Sequence, residues 1–387
     1  MTAVLDRQPL KPRYDSLDFW RGLACLLVVL YHSVLLYISS PAKALSPRTT
    51  PILEAIAGLW IGVPLFFVIS GYCIAATADR TRLRGDGLAT YFFRRFRRIY
   101  PPLWTVIVVS VVFFLVVDVA IWPRLLSTPP WAQYRPWWYS PWQWLGNLTL
   151  TETWRHHVIG GPRGHFPGQA WTLCYEEQFY FVVGALLLLP RHFFRGTVVV
   201  TGLTLLVMWA SRQAGWDIEG FFFDGNWLMF AAGILVYYTT NYGGRAHQQA
   251  AAVFLLLAAI VSRNYLPVAG GAVACAFAAG LIALKPFDGL LASSILARPI
   301  NFCGQMCYSL YLVHQLLVRA VSAGLARSGV ESGLATLLVT VPACVLVSVV
   351  VGWVFYRFVE RRFLNAPTTE MRSPSTVALS AQAPVLS

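Results

Sequence analysis

The chain has 387 residues, of which 57% are hydrophobic and only 12% charged, with a mean hydropathy of +0.58. A soluble domain carries about a quarter charged residues, so this composition excludes a soluble globular enzyme and points to one polytopic helical bundle in a membrane. The net charge of +13 does not point to nucleic acid, because the basic residues gather at the ends of apolar runs, as the positive-inside rule expects.

The first apolar run, 17–39, reads LDFWRGLACLLVVLYHSVLLYIS. Its late start, its internal Arg21 and His32 and its lack of a small-residue cleavage site argue against a cleaved signal. Arg21 and His32 are eleven positions apart. At about 100° per residue they fall within about 20° of one helix face, separated by about 16 Å along the axis. Asp18, Cys25 and Val28 share that stripe. Ionisable groups inside a span usually face a protein interior or a watery cavity and are functional candidates. His32 leads them.

Ten spans are predicted, at about 17–39, 53–76, 99–121, 171–189, 197–213, 221–241, 248–263, 267–285, 300–325 and 333–357. The bias of Lys and Arg among the loops places both termini in the cytoplasm, with 1–16 as a cytoplasmic segment and 122–170 as a long outer loop. The tail, 365–387, is rich in Ser, Thr, Pro and Ala and is expected to be disordered. The seven cysteines show no zinc or redox spacing and read as buried inert thiols.

Several motifs follow in order. GVPLFFVISGY (62–72) offers Gly62, Ser70 and Gly71 for close helix approach, an ordinary packing role. YFFRRFRRIYPPLW (91–104) carries Arg94, Arg95, Arg97 and Arg98. These read first as a topology anchor at headgroups and second as a phosphate-binding patch. The outer loop holds Trp122, Trp131, Trp137, Trp138, Trp142, Trp144 and Trp154, enough for a lid or stacking surface for a sugar-like acceptor. His156, His157 and His165 make a weak metal pattern, so no metal is assigned. AWTLCYEEQFYF (170–181) places Thr172, Glu176 and Tyr180 on one helix face and Glu177 on the next. Trp171 opens this span. One glutamate is expected to orient His32 or Arg21, with a structural ion pair to an arginine as the alternative. CGQMCYSLYLVHQ (303–315) sets Tyr308, Tyr311 and His314 on roughly one side, either lining the cavity of His32 or sitting at an interface. In FVERRF (358–363), Glu360 is expected to pair with nearby arginines.

Taken together, LDFWRG…YH, PLFFVISGY, RRFRRIYP, WTLCYEEQFY and GQMCYSLYLVH resemble the acyltransferase-3 family of integral membrane acyltransferases over about residues 14–364. The resemblance implies transfer of an acyl group, often acetyl, from a cytoplasmic acyl-CoA that serves as donor substrate, with no bound cofactor. The acceptor it implies is an envelope or exported carbohydrate, a lipid-linked glycan or another small molecule, in the plasma (inner) membrane of a bacterium. It assigns catalytic roles to His32, Glu176 and Glu177. Acyl-CoA binding falls to Arg21, Arg94, Arg95, Arg97 and Arg98; beside the resemblance, Asp18, Ser70, Trp171, Tyr180, Tyr308, Tyr311 and His314 are read as candidate pocket positions. Membrane lipids are the other expected partner. The rival is a proton-coupled transporter or flippase using Arg21, His32 and the glutamates as a relay. Neither paired helix breaks nor an internal repeat supports it.

Overall fold

The computed structural model describes residues 14–40, 48–123, 125–126, 135–265 and 270–364. The tail, the N-terminal residues before 14 and Trp131 lie outside these. Every regular element among the described residues is helical. Eight helical stretches are long and apolar enough to cross a membrane: Leu17–Ile38, Thr50–Arg84, Leu88–Ile121, Pro190–Ala214, Arg245–Arg263, Gly271–Ser293, Cys307–Arg327 and Gly333–Arg362.

In chain order the helices are α1 (Leu17–Ile38), α2 (Thr50–Ala57), α3 (Gly62–Arg84), α4 (Leu88–Phe113), α5 (Pro141–Thr149), α6 (Glu152–Ile159), α7 (Trp171–Leu186) and α8 (Phe193–Ala214). They continue with α9 (Asn226–Tyr242), α10 (Arg245–Tyr265), α11 (Gly271–Leu284), α12 (Asp288–Ser293), α13 (Arg298–Gln305), α14 (Cys307–Arg327), α15 (Gly333–Ala335) and α16 (Val341–Phe358). The predicted spans 171–189 and 221–241 correspond to α7 and α9, of 16 and 17 residues. At 1.5 Å per residue these reach about 24 and 26 Å, short of a hydrocarbon core of about 30 Å. Both are packed inside the bundle, where Phe179 of α7 stacks among Trp227 and Phe230 of α9.

Small residues set the two closest helix crossings. A Cβ on Gly71 would strike the Phe230 carbonyl, and one on Gly233 the Val68 carbonyl, so α3 and α9 touch backbone to backbone. Gly22 and Gly304 do the same for α1 and α13, meeting the carbonyls of Ile300 and Asp18. The second crossing carries Asp18 and Arg21 against the start of α14.

The entry to α1 is tied down by a group that periodicity does not reveal. Ser16 makes no side-chain cap to α1. Instead the buried Asp288 accepts from Asp15 N (2.6 Å), Ser16 N (2.8 Å), Ser16 Oγ (2.6 Å) and Lys285 Nζ (2.8 Å). Asp288→Ala would strand those donors, and buried unpaired donors cost about 1–3 kcal/mol each. A lowered melting temperature of the purified protein is therefore expected. An unchanged one would mean that the clamp contributes nothing.

Residues 141–170 form a cap over the other end of the bundle. Its buried centre is Glu152, which accepts from Arg155 Nε (2.7 Å) and Nη2 (3.0 Å) and from Gly164 N (2.8 Å). Arg155 also donates to the carbonyls of Gly160 and Pro162, and Asn147 binds Gly164 O and Phe166 N. The pair is buried but its hydrogen bonds are satisfied, which is what makes burial of the charges tolerable. It fixes the loop that carries Arg163 and His165.

Candidate active site

Two cavities enter the bundle from opposite ends and meet near its middle. The smaller, about 430 Å³, opens at the arginine-bearing end. Arg21 from α1, Arg95 and Arg98 from α4, Glu176 and Tyr180 from α7 and Glu360 after α16 reach into it. Arg21 donates to Cys73 Sγ (2.9 Å) and lies 3.5 Å from Asp18, another lining residue. Arg95 donates to Thr77 Oγ1 (2.7 Å) and covers the Tyr180 ring at 5.4 Å. Glu176 accepts from Ser70 Oγ (2.5 Å) and Tyr180 OH (3.1 Å), so its carboxylate is held by neutral hydroxyls. Three guanidinium groups around one pocket make a site suited to phosphate oxygens.

The larger cavity, about 1140 Å³, lies under the cap. Aromatic rings of Tyr31, Trp60, Trp171, Tyr175 and Trp216 line it, interspersed with Arg163, Asp217, Glu219, Asp224 and Asn226. Tyr175 OH donates to Asp224 (2.5 Å), and Arg163 lies 2.9 Å from Glu219. The Arg163 guanidinium holds the Glu219 carboxyl below the usual carboxylate range. Burial, with Arg163 and Arg155 nearby, pushes His165 down to about 4, so its imidazole is neutral at physiological pH. A neutral imidazole offers one donor and one acceptor. Two buried polar atoms of this wall, His165 Nε2 and Gln169 Oε1, have no partner among the described residues. Aromatic faces with a few unsatisfied polar atoms are the usual make-up of a small-molecule pocket.

His32 lines the larger cavity, and Arg21, on the same helix, lines the smaller one. Val63, Phe67 and Tyr311 line both and form the wall between them. Tyr311 is pinned there: its hydroxyl donates to Gln169 O (3.0 Å) and shares a 2.6 Å bond with Thr172 Oγ1. His32 Nδ1 lies 2.9 Å from Val28 O. A carbonyl can only accept, so Nδ1 carries the proton and Nε2 keeps its lone pair. His32 is thus held in the tautomer that a general base or nucleophile requires.

The geometry sorts the predicted residues. Arg21, Arg95, Arg98, Glu176, Asp18, Ser70, Tyr180 and Tyr308 converge on the smaller cavity, His32 and Trp171 line the larger, and Tyr311 touches both. The rest are elsewhere. Arg94 pairs with Asp86 (3.0 Å), and Arg97 donates to Arg362 O (3.1 Å). Glu177 points to α4 and accepts from Tyr100 OH (3.0 Å). The expectation that a glutamate orients His32 or Arg21 is not met, because their bonds go to Val28 O, Cys73 and Asp18. Tyr308, although at the smaller cavity, gives its hydroxyl proton to Ile99 O (2.8 Å), whereas His314 is wholly buried behind Tyr311. Glu360 does not hydrogen-bond an arginine: it accepts from Ser309 N (3.0 Å) and Oγ (2.5 Å), near the start of α14.

The outer tryptophans are also redistributed. Trp137, Trp138 and Trp142 are exposed, Trp144 packs on Tyr139 and Phe166, and Trp154 stacks on Phe221. The cavity draws its rings from Trp60, Trp171 and Trp216 instead, and the loop contributes Thr153, Arg163 and His165. His156 and His157 come together with Asp217, all ligand atoms within 4.8 Å, and His165 is not among them. Arg155 and Arg163 beside this trio oppose a cation: with burial and His157 they hold His156 below its usual pKa.

A helical membrane bundle in which a cationic pocket and a polar, aromatic pocket meet beside a free imidazole nitrogen has the parts of a membrane-embedded transferase. The family model described as the acyltransferase domain matches residues 14–357. The chain belongs to that family, the acyltransferase-3 family. It is similar to the exopolysaccharide production protein ExoZ of Rhizobium meliloti, at 26% identity over 79% of this chain and 89% of that protein. It is also similar to the peptidoglycan O-acetyltransferase OatA of Listeria monocytogenes, at 28% identity over 45% of this chain. That alignment spans about a quarter of the Listeria protein, 24% of its length. No solved structure matches the chain significantly.

Proposed function

We propose that the protein is an O-acyltransferase that moves an acyl group, acetyl by preference, from a cytoplasmic acyl-CoA to a hydroxyl of an envelope or exported carbohydrate. The observation that carries this reading is the wall shared by two cavities, with Arg21, Arg95 and Arg98 on one side and His32 on the other. The donor's phosphates engage Arg95 and Arg98, and Arg21 holds its polar arm. The thioester then reaches the wall at Phe67 and Tyr311. The acceptor hydroxyl approaches through the larger cavity, its neighbouring hydroxyls meeting His165, Gln169 and the aromatic faces. In this orientation the arginine-bearing end and both termini face the cytoplasm, consistent with the loop charges. The activity for which the Listeria relative is named supports acetyl as the group, and both relatives' names support a carbohydrate acceptor.

Transfer of label from radiolabelled acetyl-CoA to de-O-acetylated bacterial exopolysaccharide by the purified protein tests this reading. Arg95→Ala with Arg98→Ala should raise KM for acetyl-CoA by about 10²–10⁴-fold, since charge-assisted bonds contribute about 1.5–3 kcal/mol each. Arg94→Ala with Arg97→Ala should leave it nearly unchanged. Equal effects of the two pairs would place the donor elsewhere, and movement of glycan without acylation would favour a flippase.

A further inference from the structure

The mechanism above leaves one buried base unused. His314, on α14, is fully buried, and its ring lies 5.0 Å from that of His32, edge to face at 71°. Its Nδ1 is 2.7 Å from Tyr311 O, an acceptor only, so Nδ1 carries the proton. Its Nε2 therefore holds a lone pair, and that atom has no partner among the described residues. A buried acceptor without a donor is costly in a protein interior and unusual enough to need a reason. His314 borders neither cavity, so it is not placed to touch either substrate.

The geometry points to His314 as the positioning residue of His32, a second imidazole whose unshared Nε2 pair steadies His32 while His32 is protonated. This rests on the acyl-transfer reading. In the step concerned, the acceptor O–H proton passes to His32 Nε2 as the new C–O bond forms and the thioester C–S bond breaks. His32 then carries a proton on each nitrogen, with Nδ1–H still on Val28 O, and returns the second proton to the departing thiolate. During that interval a cation sits in the bundle interior, and the neutral imidazole of His314, 5.0 Å away, offers it a lone pair rather than another N–H. The backbone bonds of both histidines, to Val28 O and Tyr311 O, set the tautomers that make this arrangement possible. In the resting state the same lone pair waits without a donor.

The test compares His314→Leu, which fills the space without an acceptor, with His314→Gln, which restores one, and His314→Ala with and without added imidazole. Each full-length variant is assayed with radiolabelled acetyl-CoA and de-O-acetylated exopolysaccharide, and its KM for acetyl-CoA is measured beside kcat. The leucine variant should lose about tenfold to a hundredfold in kcat, the scale of a misplaced catalytic group, with KM unchanged. Glutamine, or imidazole added to the alanine variant, should recover at least severalfold of that loss. A leucine variant turning over within twofold of wild type would overturn the inference. So would a loss that neither glutamine nor imidazole repairs, since His314 would then serve packing alone. Absence of transfer by wild type would instead refute the acyltransferase reading, and the inference would fall with it.

Discussion

With His32 replaced by alanine, acyl transfer is expected to drop by about 10²–10⁴-fold, the usual contribution of a positioned general base. Three observations converge on this residue. It is the imidazole lining the larger cavity on α1, its tautomer is fixed by Val28 O, and its Nε2 is left free to take a proton or an acyl group. Arg95 and Arg98, which we propose bind the donor, line the other cavity, so affinity for acetyl-CoA should change little. Titration of acetyl-CoA into the purified variant, alongside the transfer assay, separates the two effects. Retained transfer would remove His32 from the chemistry, and lost binding together with lost transfer would mean that the substitution disturbs the bundle rather than the reaction.

Gly71→Leu should prevent the bundle from assembling at all. Its first added carbon already meets the Phe230 carbonyl, and the opposing Gly233 leaves no flexible side chain to move aside. Overpacking of a well-packed core costs about 1–3 kcal/mol or more. Here the obstruction is backbone, so α3 and α9 must separate. That separation would uncover the stacked rings of Phe179, Trp227 and Phe230, and with them the support of α7 and Glu176. The measurement is the yield of monodisperse protein after detergent extraction. Gly58→Leu is the control, because a Cβ there meets nothing within 4 Å. Equal yields from the two variants would show that the crossing tolerates expansion.

How legible the site was depends on the range over which each signal acts. The shared stripe of Arg21 and His32 follows from helical periodicity alone, and so does the face of Thr172, Glu176 and Tyr180, all three of which line the smaller cavity. Choosing among Arg94, Arg95, Arg97 and Arg98 required the rotation of α4 against its neighbours, which depends on tertiary packing. Glu177 was misleading for the same reason: adjacent helix positions point about 100° apart, and only the neighbouring helix decides which side is the pocket. The tryptophans of the outer loop show the limit of composition. Their abundance signalled an aromatic environment but not the direction of any ring, and the cavity took Trp60, Trp171 and Trp216 from three distant segments. For Asp288, Glu152 and Arg155 the sequence offers only the i,i+3 spacings to Lys285 and to each other; the backbone groups that complete their bonding are brought close by turns and tertiary packing.

The crossing of α1 with α13 and α14 has a consequence for how the protein is made. Cys25 Sγ reaches the carbonyl of Cys307 across 282 residues of chain, close to where Gly22 and Gly304 meet. During synthesis α1 therefore leaves the ribosome first and receives these partners nearly last. Until then the helix carrying Arg21 and His32 has α3, whose Cys73 accepts from Arg21, but lacks the wall that α13 and α14 supply, and ionisable groups facing hydrocarbon are expensive. Burial of the Arg21–His32 stripe and closure of the bundle are completed in one late event, so a truncated chain ending before α13 would contain both residues and yet have neither cavity complete.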